Sequence, residues 1–201
     1  MTSRQGLAGR LGPDRCGGSL AFWTVRRALR FGQSIRATRV SARSMRLELD
    51  GRQAGIRFSA SHLIPGHPKC GRLHGHSYSI SLILAGEKGE KGMVIDFLPI
   101  KEALREIADE FDHRVILPGN SRQLELNMGK EVEAKAAGKR YVFPAEDVVV
   151  IDAEESSAEE MARVVLEMLV QRMAMPENVS QVEIGVYEEL GQGAWASKKL
   201  R

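Results

Sequence analysis

Two stretches of strict alternation constrain this chain more than anything else in it. Between Ile56 and His62, the side chains of Ile56, Phe58, Ala60 and His62 fall on one side, and those of Arg57, Ser59 and Ser61 on the other. Between His74 and Leu84, His74, His76, Tyr78, Ile80, Leu82 and Leu84 share one side against Ser77, Ser79 and Ser81. A period of two belongs to a half-buried strand, so the chain must build a sheet with one apolar face. The segment between them, LIPGHPKCGR, is broken by Pro65, Gly66, Pro68 and Gly71 and reads as a loop.

The remaining pattern adds helices. Ile100, Leu104, Ile107, Ala108 and Phe111 recur at helical spacing, which predicts a helix over about Pro99–Phe111, with proline in its first turn. Ser157 can cap a second helix, with Glu160 three residues on in capping-box register and Met161, Val165, Met168 and Leu169 as its apolar stripe. QVEIGVYEE predicts a strand, and a further strand is expected near Ala194–Lys198. Residues 119–153, with RYVF and DVVVID, read as an inserted hairpin. Strands and helices in this order give an α+β domain over residues 45–201, its helices gathered on one face of an antiparallel sheet. No apolar run reaches the roughly 20 residues of a membrane-spanning helix.

Three of the five histidines carry the chemical interest. If the first two strands pair antiparallel, His62, His74 and His76 converge at one end of one sheet face, because residues i and i+2 project together. Three imidazoles are the ligand count of a catalytic zinc site. The other reading is of core histidines bonded to backbone. His67, in the Pro/Gly loop, reads as an exposed loop residue. Cys70 either closes the metal site as a fourth, structural ligand or is a reactive thiol, its thiolate favoured by Lys69 and Arg72. Those two cations are also candidates to hold an anionic substrate. Asp112 and His113 form either an acid–base pair or a polar helix end. Glu188 continues an apolar face, where a carboxylate needs a partner such as a ligand with two N–H donors, unless the strand ends at Tyr187.

Charge is uneven. Residues 1–44 hold nine arginines, no lysine and one acid, a net charge of +8, which leaves −5 for the rest. The basic pI therefore belongs to this segment, and nucleic-acid binding is not read from it. The segment fits an organellar transit peptide, an over-extended start upstream of Met45, or a basic arm, and is expected to be disordered. Two cysteines, Cys16 and Cys70, make no disulfide framework and point to a reducing compartment. A cytoplasmic location is expected, with organellar import if the segment is genuine.

FSASH, KCGRLHGHSYSISL, MVIDFLPIK, FDH and VEIGVYEE together resemble the 6-pyruvoyltetrahydropterin and 6-carboxytetrahydropterin synthase family, over about Arg57 to Ala196. The resemblance implies the tunnelling fold: a four-stranded antiparallel sheet with two helices on one face. It also implies a homo-oligomer, trimer or hexamer, with sites between subunits. It makes His62, His74 and His76 the zinc ligands, Cys70 the catalytic proton acceptor, and Asp112 with His113 the remaining relay. Glu188 becomes the pterin anchor, often counted with the relay. Ser157, where the family usually has threonine, and Glu159 stand beside the pterin. The chain departs from the family at Glu189, often a threonine, and in the longer insertion. The three-residue gap between Cys70 and His74 is similar to the 6-carboxytetrahydropterin branch. That branch implies a zinc-dependent lyase turning 7,8-dihydroneopterin triphosphate into 6-carboxytetrahydropterin, acetaldehyde and triphosphate for 7-deazaguanine synthesis. The alternatives are a pyruvoyl-forming lyase and a non-catalytic, zinc-stabilised binding module.

Overall fold

The computed structural model describes residues 44–89 and 91–201. The expectations for the Arg-rich segment lie, apart from Ser44, outside the described residues. The chain runs through β1 (Met45–Leu49), β2 (Arg57–His62), β3 (His74–Gly86), α1 (Phe97–Phe111), β4 (Arg114–Pro118), β5 (Glu125–Met128), β6 (Glu131–Ala136), β7 (Lys139–Pro144), β8 (Val148–Ile151), α2 (Ala158–Arg172), β9 (Val179–Glu189) and β10 (Gln192–Lys199). The main sheet has the order β10-β9-β3-β2-β4-β8. Its β10-β9-β3-β2 part is antiparallel throughout, the expected four-stranded core. Beyond it, β4 and β8 add in parallel, which extends the expected sheet.

The long β3 carries two partners along one side. β2 pairs with its first half, His62 opposite His74 and Ala60 opposite His76, and β1 pairs with its second half. The turn between β1 and β2 crosses β3 so closely that a Cβ on Gly51 would lie 1.7 Å from the Ile80 carbonyl oxygen. Only glycine fits there. β1, five residues long with only Leu49 buried, was not among the expected strands.

Both helices cover the apolar face. Ile100, Leu104, Ile107 and Phe111 of α1, with Met161, Val165 and Leu169 of α2, bury against Phe58, Tyr78, Ile80, Leu82, Ile184 and Val186. Burying each such side chain is worth about 1.5–3 kcal/mol, so this layer fixes which face the histidines share. α1 starts two residues before the expected Pro99, because the Asp96 carboxylate caps it by accepting the Leu98 N–H at 2.9 Å. Ser157 caps α2 as expected, accepting the Glu160 N–H. Glu160 does not complete a capping box, since its carboxylate pairs with Arg163.

The insertion differs from the expected hairpin. β5, β6 and β7 form a separate three-stranded antiparallel sheet. The β6–β7 turn uses Ala137 and Gly138, both at positive φ, the backbone of a two-residue hairpin turn. DVVVID does not belong to this sheet: its VVVI is β8 of the main sheet, parallel to β4. Its run of four apolar residues lacks the alternation that would mark its sheet, although Val148 and Ile151 are buried and Val150 is exposed at the sheet's edge. Leu124, Val132, Ala134 and Ala136 bury with Leu63, Leu117 and Val148 in a second core beside the end of β2.

Candidate active site

Strand pairing alone brings the histidines together. With His62 opposite His74 and the β3 pleat returning at His76, the three rings cluster in tilted and edge-on contact with centroids 4.5–5.2 Å apart. One ligand atom from each lies within 4.8 Å of the others. The backbone decides which nitrogens face inward. His62 Nδ1 bonds the Ser156 carbonyl at 2.7 Å and His74 Nδ1 bonds the Arg72 carbonyl at 2.8 Å. A ring that donates through Nδ1 carries its lone pair at Nε2, the tautomer a metal needs. His62 is 1% exposed, and its Nε2 is buried without a hydrogen-bond partner among the described residues. A divalent cation at this point would satisfy that orphan, and three imidazoles suit zinc.

Burial depresses the His62 pKa from 6.5 to about 4; the Ser156 bond opposes this, and His74 and His76 add to the depression. Its sign fixes a testable pH dependence. Unfolded, His62 takes a proton below about pH 6.5; folded, it does so only below about pH 4. The unfolded state therefore binds more protons in this window. The stabilising contribution is full above pH 6.5 and is lost as pH falls towards 4. Metal-free protein should lose about 3 kcal/mol from this group, read as the urea-midpoint difference between wild type and His62→Asn. A pH-independent difference would contradict it.

Tyr78 floors the cluster. It is fully buried, meets the His62 and His76 rings edge-on, and stacks on Phe58 with centroids 4.8 Å apart. Burial first, and then the Glu188 charge, push its phenol far above the ordinary range, so it stays neutral.

Cys70 lines the same cleft, of about 480 Å³, as His62, His74, His76, Glu188, Lys69 and Arg72. It is a half-buried free thiol and is not one of the clustered metal-ligand residues, as a closed four-ligand site would require. Glu188 lies within β9, so the strand does not end at Tyr187. At 17% exposure its carboxylate stands 3.8 Å from His62 Nε2 and 4.0 Å from His76 Nε2, and it accepts a hydrogen bond from the Gln192 amide.

Asp112 and His113 are paired but are not beside the thiol. Asp112 accepts the Ser59 N–H at 2.7 Å and bonds His113 Nδ1 at 2.8 Å. The Ser59 bond, reinforced by His113, holds its carboxyl below the usual carboxylate range. His113 sits at φ +58°, a left-handed backbone uncommon for a residue with a Cβ, and its N–H is clipped to the Ser59 carbonyl. It is 82% exposed and lines a different cleft with Ser59, Ser61 and Ser77, whose side chains leave the sheet on the face away from the helices. Within one subunit the carboxylate–imidazole pair and the thiol therefore line different clefts, with His76 common to both. Ser157 spends its hydroxyl on the α2 cap, Glu159 is exposed in the first turn, and neither lines the Cys70 cleft.

Sequence reading missed Ser156 and Gln192. Ser156 is fully buried; its hydroxyl donates to the Leu63 carbonyl while its own carbonyl holds His62. Nothing local marks it, because its partners lie more than ninety residues away.

The chain matches the family model described as 6-pyruvoyl tetrahydropterin synthase over residues 53–199. A Methanocaldococcus jannaschii protein provisionally named 6-carboxy-5,6,7,8-tetrahydropterin synthase is 38% identical over 160 residues, covering 78% of this chain and 98% of that protein. A Rickettsia felis 6-carboxy-5,6,7,8-tetrahydropterin synthase is 42% identical over 89 residues, 43% of this chain and 62% of its own length. Plasmodium vivax 6-pyruvoyltetrahydropterin synthase superposes with a TM-score of 0.73 at 29% identity, over 78% of this chain and 99% of that one.

Proposed function

The chain belongs to the 6-pyruvoyl tetrahydropterin synthase family, and from that membership we propose that it is a zinc-dependent lyase. Its reaction converts 7,8-dihydroneopterin triphosphate and water to 6-carboxytetrahydropterin, acetaldehyde and triphosphate, a step towards 7-deazaguanines. The observation that carries this reading is the meeting of three imidazoles, the buried His62 Nε2 without a hydrogen-bond partner among the described residues, with a free thiol in one cleft.

His62, His74 and His76 would hold the metal, whose Lewis acidity lowers the pKa of substrate hydroxyls. Cys70, in the cleft with Lys69 and Arg72, is the base that removes a proton from the side-chain carbon. Glu188 accepts N–H donors of the pterin ring while Gln192 steadies one of its oxygens. Lys69 and Arg72 offset the triphosphate charge. His113, oriented by its hydrogen bond to Asp112, returns protons. Because the dyad and the thiol line different clefts of one subunit, the dyad serves the thiol's cleft in a neighbouring copy of a homo-oligomer. No helix among the described residues is long and apolar enough to cross a membrane, and a catalytic free thiol suits the cytoplasm.

The carboxy product is favoured over the pyruvoyl one by the Cys-x3-His spacing and by the name of the M. jannaschii relative, which matches over 98% of its length. Mass analysis of the products from 7,8-dihydroneopterin triphosphate should find 6-carboxytetrahydropterin with equimolar acetaldehyde. A pyruvoyl product without acetaldehyde would select the other lyase, and an unchanged substrate would leave a zinc-stabilised binding module.

A further inference from the structure

The loop between β2 and β3 carries Cys70, and one exposed side chain organises it. The Cys70 N–H donates to His67 Nδ1 at 2.8 Å, and the Cys70 carbonyl accepts from the Ile64 N–H at 2.8 Å. His67 also ties the loop through its own backbone, donating to the Ile64 carbonyl at 3.1 Å and accepting from the Gly71 N–H at 3.0 Å. Both backbone polar groups of Cys70 are thus fixed, leaving only its side-chain torsion to vary. The loop is braced from outside as well. Gly66 turns it at φ +79°, and a Cβ there would lie 2.1 Å from Oε1 of Gln123, at the root of the insertion. At its far end, the Arg72 carbonyl orients His74. One loop therefore aims both a metal ligand and the thiol.

We propose that His67 is a positioning residue for Cys70: its Nδ1 lone pair holds the Cys70 backbone so that the thiol meets the substrate carbon beside the metal. The proposal rests on Cys70 being the catalytic base. His67 is exposed and outside both apolar cores, so its contribution lies in this bond and not in packing. A small displacement of a catalytic group costs rate out of proportion to stability.

Asparagine and glutamine separate the bond from mere polarity. Asn Oδ1 stands where His Nδ1 does, whereas the Gln oxygen lies one methylene further out. In the metal-loaded full chain, His67→Ala should lower kcat roughly tenfold. It should also change the peptide-resolved alkylation rate of Cys70 by iodoacetamide, with zinc content and KM unchanged. His67→Asn should restore both readouts, and His67→Gln should restore neither. Wild-type alkylation and turnover in His67→Ala would overturn the proposal, as would equal rescue by asparagine and glutamine. Altered alkylation with undiminished turnover in His67→Ala, matched by full turnover in Cys70→Ala, would instead remove the catalytic role of the thiol.

Discussion

Cys70→Ala should retain its zinc and lose turnover of 7,8-dihydroneopterin triphosphate by roughly a thousandfold or more. The two halves of this expectation separate two roles for the sulfur. A base that abstracts a carbon-bound proton has no substitute in the cleft. Glu188 is bonded to Gln192 and faces the imidazoles, and Lys69 and Arg72 are cations. A fourth ligand, by contrast, would leave with its metal, and stoichiometric zinc loss in this variant would favour the closed structural site. The same variant tests where the dyad acts. His113→Ala should also be inactive alone, because its imidazole is the one positioned by Asp112. Mixed after dissociation, the two inactive proteins should recover up to about a quarter of wild-type activity, if each site draws its thiol and its imidazole from different copies. No recovery from properly reassembled mixtures would put both groups in one chain's duty and contradict the geometry seen here.

Much of this site was legible in the alternation of two strands. Phe58, Ala60 and His62 had to share a face, as did His74, His76 and Tyr78. Antiparallel pairing then left the imidazoles nowhere else to go. Glu188 was legible for the same reason, two residues beyond Val186 on a buried face. What stayed hidden depended on partners distant in sequence. The carbonyl that selects the His62 tautomer comes from Ser156, just ahead of α2. The seat of the Cys70 loop is Gln123, and the role of His67 appears only once the loop closes. Local pattern also failed where strands lack a polar face. RVILP became β4 and VVVI became β8, extending the sheet in parallel, while β6 hid its register behind small alanines at positions 134 and 136. That Asp112 and His113 pair was readable from adjacency; that His113 lines a cleft without Cys70 depends on the positive φ and the clip to Ser59, which sequence does not display.

The other large effect concerns the metal itself. His74 is the informative ligand to remove. Unlike His62 it is only half-buried, so alanine there leaves the apolar core intact, and the bond it loses is to the Arg72 carbonyl of its own loop. A site with two imidazoles in place of three falls below the ligand count of either structural or catalytic zinc. Elemental analysis of wild type and His74→Ala, purified side by side with equal zinc supplied, tests the shared cluster most directly. The expected result is about one zinc per subunit in wild type and almost none in a folded His74→Ala protein. Full zinc occupancy in His74→Ala would contradict it.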